Sequence, residues 1–322
     1  MTFSSMARAG FGFRERTTRR GLLMAGLCMA VSLPAAFAGQ AAQQKAFETP
    51  EKAAEALVSA AERFDVAALK EILGPDGVDL VVTDDPVLDK NQSAAFAAEA
   101  RVKTEVVRDP KQPGVASVIV GAEDWPLPIP LVEEGGQWRF DTEAGREEVL
   151  NRRIGANELN AIAMCRGYVE AQHEYATEKH DGAPVNQYAQ RVVSTPGRQD
   201  GLAWRAPDGT WQGPVGEGVA RIISEGYTER YEPFHGYYFK ILKGQGPHAP
   251  MGEMDFVVKG YMIGGFALVA APADYAVTGV KTFVVSHTGV VYEKDLGPDT
   301  VEQFRAMDRY DPDPTWTPVS EP

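Results

Sequence analysis

Residues 14–40, RERTTRRGLLMAGLCMAVSLPAAFAGQ, divide this chain before any other feature does. Five arginines and one glutamate precede an apolar run from Gly21 to Leu33, which ends at Pro34 and the small-residue site Ala36-Phe37-Ala38. A run this short does not span a bilayer, and the layout of residues 1–38 is that of a cleavable export signal. The folding chain is therefore expected to begin near Gly39, after cleavage near Ala38, and to work in the periplasm or as a secreted protein. Thr18-Arg19-Arg20-Gly21-Leu22-Leu23 resembles a twin-arginine signal, and an ordinary Sec signal fits the same residues. The longest later apolar stretch, Met262 to Ala271, is ten residues with two glycines, so no membrane span is expected in the mature protein.

What remains must fold without a staple. Cys165 is the only cysteine after residue 38, so no internal disulfide can form and packing has to stabilise the fold. It sits in the helical stretch from Asn157 to Thr177, at the spacing of Leu159, Ile162 and Val169. His173, the nearest histidine along the chain, is eight residues on, about 12 Å along a helix axis. A proton-transfer pair is excluded within that helix, and a buried, inert thiol is expected. Removing residues 1–38 leaves 284 residues with 27 basic and 44 acidic side chains, a formal charge of −17. So acidic a surface repels nucleic acid and anionic lipid, which argues against both as partners.

The pattern after residue 38 reads as α+β in two modules. A polar leader, 39–46, runs into Thr49-Pro50-Glu51, where threonine caps a helix, proline fits its first position and glutamate suits its dipole. Ala54, Leu57, Val58, Ala61 and Phe64 follow at helical spacing, Asp65 caps a second helix over 66–73, and a third is expected over 92–101. Strands are expected at 115–120, 125–132 and 138–140, the last two joined about Glu134-Gly135-Gly136. This N-terminal α+β module, 47–141, resembles in layout the cone-shaped fold of nuclear transport factor 2 relatives. A polar linking helix, 142–155, leads to the C-terminal module, 156–311. There a long helix is expected to lie across an antiparallel sheet built from 236–242, 255–258, 265–270, 280–286 and 290–294. Short helices are expected at 185–194 and 215–225, and a weakly ordered tail at 312–322.

Several stretches then identify a resemblance. QKAFETPEKAAEALVSA, GAEDWPLPIPLV, GGQWRFDT, EVLNRRIGANELNAI, HGYYFKIL, GGFALVA and YEKDLGPDT occur in order between Gln44 and Trp316. The chain resembles the exported bacterial family known as domain of unknown function 2950. The resemblance implies a periplasmic or secreted protein and carries no reaction to transfer. The second module also resembles the globular heads of type IV pilin-like proteins. The matching residues are the helix Asn157 to Tyr175, Gly236-Tyr237-Tyr238-Phe239, Ala270-Ala271-Pro272, Thr278-Gly279 with Phe283, and Gly289-Val290. No membrane-embedded helix of the pilin kind precedes Asn157, and fold alone does not give function.

Motifs for chemistry are missing from the sequence. His173, His180, His235, His248 and His287 form no HExxH and no i, i+4 pair, and none stands at zinc spacing from a cysteine. There is no calcium loop, no GxSxG, no phosphate loop and no GxGxxG after a strand; no metal, nucleotide or other cofactor is expected. Glu170, Glu174 and Glu178 repeat along one helix face, the mark of a solvated stripe. The remaining candidates are aromatic. Tyr227, Tyr231, Phe234, His235, Tyr237 and Tyr238 crowd into twelve residues. On a strand Tyr237 and Phe239 face one way, Tyr238 and Lys240 the other, so one row is core and the other is free to line a groove. A candidate binding surface is accordingly His235, Tyr237 and Tyr238 with Lys294 and Asp295. Two functions fit: a non-catalytic exported protein binding an envelope component or protein partner, or a carboxylate- and histidine-dependent hydrolase or lyase acting on envelope polymers. The position of His235 relative to Asp295 and the nearby glutamates separates them.

Overall fold

Thr49 opens the first helix as its sequence requires: its Oγ1 accepts a hydrogen bond from the Lys52 amide at 3.2 Å, and Pro50 occupies the first turn. The computed structural model describes residues 44–82, 86–215 and 233–320. The export-signal segment and residues 216–225 of the expected 215–225 helix lie outside the described residues. By contacts the chain divides into two units, 1–150 and 151–322. The class is α+β.

In the first unit, α1 (Pro50–Glu62) is followed by α2 (Val66–Leu73), whose cap Asp65 accepts from the Ala68 amide at 3.0 Å. After a single 3₁₀ turn comes α3 (Pro86–Val102), longer than the expected 92–101. The strands are β1 (Thr104–Arg108), β2 (Val115–Val120), β3 (Trp125–Pro126), β4 (Leu131–Glu134) and β5 (Gln137–Phe140). They pair antiparallel in the order β1-β2-β4-β5, with β3 also on β2. The expected strand 125–132 is broken in two, because Pro128 and Pro130 have no N–H to give a ladder. Gly135 and Gly136 both have positive φ, 60° and 79°, as a two-residue hairpin turn demands. Ala53, Ala54 and Leu57 of α1 bury against Val118, Val120, Leu131, Trp138 and Phe140 of the sheet.

α4 (Thr142–Tyr175) is one helix of 34 residues. The expected linking helix 142–155 is its opening turns: Gly155 costs a helix only about 1 kcal/mol and no proline interrupts. Arg146 anchors those turns on Asp79 through two bonds of 2.8 Å. From Asn151 onward the helix belongs to the second unit. Cys165 is fully buried there, with Ala161, Tyr168 and Val169, whereas Leu159, expected on that buried side, is 69% exposed.

β6 (Arg191–Val193), β7 (Gly201–Arg205) and β8 (Trp211–Gln212) form a small sheet. The expected helix 185–194 is therefore extended chain: Tyr188 bridges to Met262 and β6 lies parallel to β7. The main sheet is built from β9 (Tyr237–Leu242), β14 (Ala267–Pro272), β15 (Lys281–Ser286), β16 (Val291–Asp295) and β17 (Thr317–Pro318). Between β9 and β14 run two short hairpins, β10 (Gly244–Gln245) with β11 (Met254–Asp255) and β12 (Val257–Val258) with β13 (Tyr261–Met262). The expected strand 255–258 is thus split between them. The spatial order of the main sheet is β17-β16-β15-β14-β9, all antiparallel. Among the described residues a further helix, α5 (Thr300–Ala306), precedes β17. The tail expected to be weakly ordered returns to the sheet instead, Val319 donating to the Val291 carbonyl at 2.9 Å. Pro318 is admissible there because β17 is an edge.

Candidate functional site

The alternation along β9 holds, but both of its rows are covered. Tyr237 is fully buried, and its hydroxyl donates to the Lys281 carbonyl at 2.9 Å. Burial, with the Glu158 carboxylate nearby, pushes its phenol well above the usual range. Glu158, on α4, accepts from the amides of Val280 and Lys281 at 2.9 and 3.0 Å, which ties the helix to this face of the sheet. On the other face Tyr238 stacks on Phe304 of α5, ring centroids 6.0 Å apart. Lys240 donates to the carbonyls of Phe304 and Arg305 at 2.6 and 3.0 Å, and its ammonium lies 5.1 Å from the Phe304 ring centre. Burial lowers the Lys240 pKa.

The remaining three sequence candidates do not converge. His235 is exposed, with φ of 47°, just before β9; Asp295 ends β16. Two strands separate β9 from β16, so three spacings of about 4.8 Å keep β9 about 14 Å from β16. The register sets Asp295 level with Tyr237, and His235 lies beyond in the turn that Phe234 closes. Asp295 accepts from the Tyr275 hydroxyl at 3.3 Å and from the Gly297 amide at 2.9 Å, and Lys294 lies over Trp316, 5.7 Å from its ring centre. The other histidines have structural neighbours. His180 is buried, stacked on Tyr175 at 3.9 Å, and His248 pairs with Asp311 at 3.0 Å. Among the described residues no group of three His, Cys, Asp or Glu side chains is placed to hold a metal ion.

The first unit offers a different site. α1 lies over the face of the sheet that carries Val106, Val118 and Val120, and where the sheet ends at β1 a trough of about 480 Å³ remains beside the helix. Its walls are Glu51, Ala54, Glu55, Val58, Ser59 and Glu62 of α1 and Thr104 and Val106 of β1. The middle is apolar and the ends acidic. The Glu51 carboxyl is held below the usual range by its own backbone N–H and the Thr49 hydroxyl, and more weakly by Arg108. Glu62 pairs with Arg101, and Arg108 lies over Trp138 at 5.1 Å.

Among the described residues no strand pairs with the outer edge of β1. The Gly121 amide donates to the Lys103 carbonyl at 3.0 Å, and the Asp109 amide donates to Val115 at 2.9 Å. In an antiparallel ladder the bonded residues alternate, so Lys103, Glu105, Val107 and Asp109 face β2. Thr104, Val106 and Arg108 consequently aim N–H and C=O away from the sheet. The sequence contained part of this: Glu51 and Glu55 stand one helical turn apart, and TEVVR is rich in β-formers. What it did not reveal is that β1 forms at all, or that it ends the sheet.

The family described as "Protein of unknown function (DUF2950)" matches residues 44–319. The chain belongs to this family. No curated protein and no solved structure matches the chain.

Proposed function

We propose that this is an exported, non-catalytic protein that holds a protein partner of the cell envelope in the α1–β1 trough. The observation that carries the reading is the conjunction at one place of an apolar hollow, three glutamates and a row of outward-facing backbone groups. Unpaired strand edges are templates for another chain, and natural proteins usually cover or charge them. Lys103, Glu105 and Arg108 guard this edge against indiscriminate pairing while Val106 stays at its centre. The residues chosen from the aromatic run fit a surface less well, since Tyr237 is core and Tyr238 lies beneath α5. Residues 1–38 supply the address by their charge, length and cleavage site.

Affinity capture from the host's envelope extract tests the reading. Wild-type protein should retain a partner that Val58→Lys, which fills the middle of the trough with a charge, loses. Lys294→Glu, in the second unit, should retain it. Loss with Lys294→Glu and retention with Val58→Lys would move the site to the second unit. N-terminal sequencing of native protein should begin near Gly39, and an intact first residue would remove the export claim.

A further inference from the structure

We infer that the trough takes an extended segment with the pattern basic–x–apolar–x–basic, which adds to β1 as an antiparallel sixth strand. The inference rests on the function proposed above and specifies the chemistry of the partner. Every strand pair of this sheet is antiparallel, and an added strand would continue that sense. Its hydrogen-bonding residues would lie opposite Thr104, Val106 and Arg108, and in an antiparallel bonded pair both side chains point to the same face. Those side chains would therefore point beneath α1.

The helix then dictates what each must be. Arg108 acts electrostatically on Glu51, and Arg101, just ahead of β1, pairs with Glu62, so α1 runs opposite to β1. With that sense, the trough-lining residues of α1 would fall in order along the added strand: Glu51 and Glu55 near the residue opposite Arg108, Ala54 and Val58 near the one opposite Val106, and Ser59 and Glu62 near the one opposite Thr104. The spacing agrees. From midway between Glu51 and Glu55 to midway between Ser59 and Glu62 is about seven and a half residues, about 11 Å at 1.5 Å per residue, with the Glu62 position itself at about 13.5 Å. Four residues of strand cover about 13.5 Å at 3.4 Å each. Among the described residues Glu55 has no ion pair, whereas Glu62 has Arg101 and Glu51 feels Arg108. Glu55 is thus the carboxylate left for the partner's basic group, which must reach it past the Arg108 guanidinium on the same face.

The test uses the full chain and a synthetic heptapeptide, acetyl-Thr-Lys-Thr-Val-Thr-Lys-Thr-amide, followed by calorimetry and by amide exchange. The peptide should bind with submillimolar Kd and slow exchange at Val106, while Val107, already bonded to β2, changes little. Methylating the peptide nitrogens of Lys, Val and Lys, which face β1, should weaken binding at least tenfold. Methylating those of the inner Thr residues, which face solvent, should change it less than threefold. Replacing both Lys by Glu should weaken binding at least tenfold, and Glu55→Lys should reverse that preference. No binding at millimolar concentration, or equal loss from both methylation patterns, overturns the strand-addition inference. If capture still depends on Val58 in that event, the proposed site stands and only the occupant's conformation is wrong.

Discussion

Phe304→Ala measures whether the Tyr238 and Lys240 row is structural packing or an open surface. Phe304 is 1% exposed and is the one large apolar side chain that α5 lays on the sheet. Truncating a buried phenylalanine costs about 3–5 kcal/mol. Within that total, the offset stack on Tyr238 accounts for about 0.5–1.5 kcal/mol and the Lys240 ammonium above the ring for about 0.5–1 kcal/mol. Lys240 also satisfies two carbonyls at the C-terminus of α5, where a cation complements the helix dipole. Lys240→Met should therefore cost about 1–2 kcal/mol, since two charge-assisted bonds are lost but the partly desolvated ammonium goes with them. Scanning calorimetry is the assay, read on the transition of the second unit. At about 2–4 °C per kcal/mol for a unit of this size, Phe304→Ala should lower Tm by about 6–20 °C. Tyr238→Ala should lower it too, by a smaller amount. A shift below 2 °C for Phe304→Ala, or none for Tyr238→Ala, would mean that α5 does not cover this row and that the row is available for binding.

Cys165 is completely buried, and burial pushes its thiol up to about 12, so native protein at pH 8 should resist thiol reagents until it is unfolded; rapid native labelling would contradict this. The Asp311 carboxylate holds His248 above its ordinary 6.5. Because the folded pKa is the raised one, the pair's contribution is complete below about 6.5 and fades as pH rises through the folded value. Asp311→Asn should bring the His248 NMR titration midpoint back toward 6.5, and an unmoved midpoint would refute the pairing. Gly279→Ala should cost about 1–3 kcal/mol in urea unfolding, because its new methyl would lie 2.2 Å from the Tyr237 hydroxyl, which is pinned on Lys281. Tyr237→Phe leaves ring carbons 2.6 and 2.7 Å from that methyl and should recover little of the loss, whereas full recovery would mean that the hydroxyl alone carries the strain.

Legibility in the sequence followed the range of the forces involved. Caps and turns act over three or four residues, so Thr49, Asp65 and the Gly135-Gly136 hairpin were readable directly. The main strands of the second unit were readable from their β-branched and aromatic runs. Elements held by distant partners were not. Residues 185–194 have a composition that suits a short helix, and only pairing with β7 and Met262 makes them extended. Residues 317–318 look like tail until β16 is present beside them. At the candidate sites the same limit applied. Periodicity correctly put Tyr237 and Tyr238 on opposite faces, but the residue that covers Tyr238 is Phe304, 66 positions away. The trough depends on a strand that ends a sheet, and nothing within TEVVR states that no neighbour follows.

A photo-crosslinking residue at position 59, with a second variant at 294, tests the central claim most directly in living host cells. Ser59 lines the trough, and Lys294 lies on the sheet of the second unit. A protein crosslinked at 59 and absent at 294, with the adduct lost when Glu55→Lys is added, is the predicted result. A partner captured at 294 and not at 59 would contradict it.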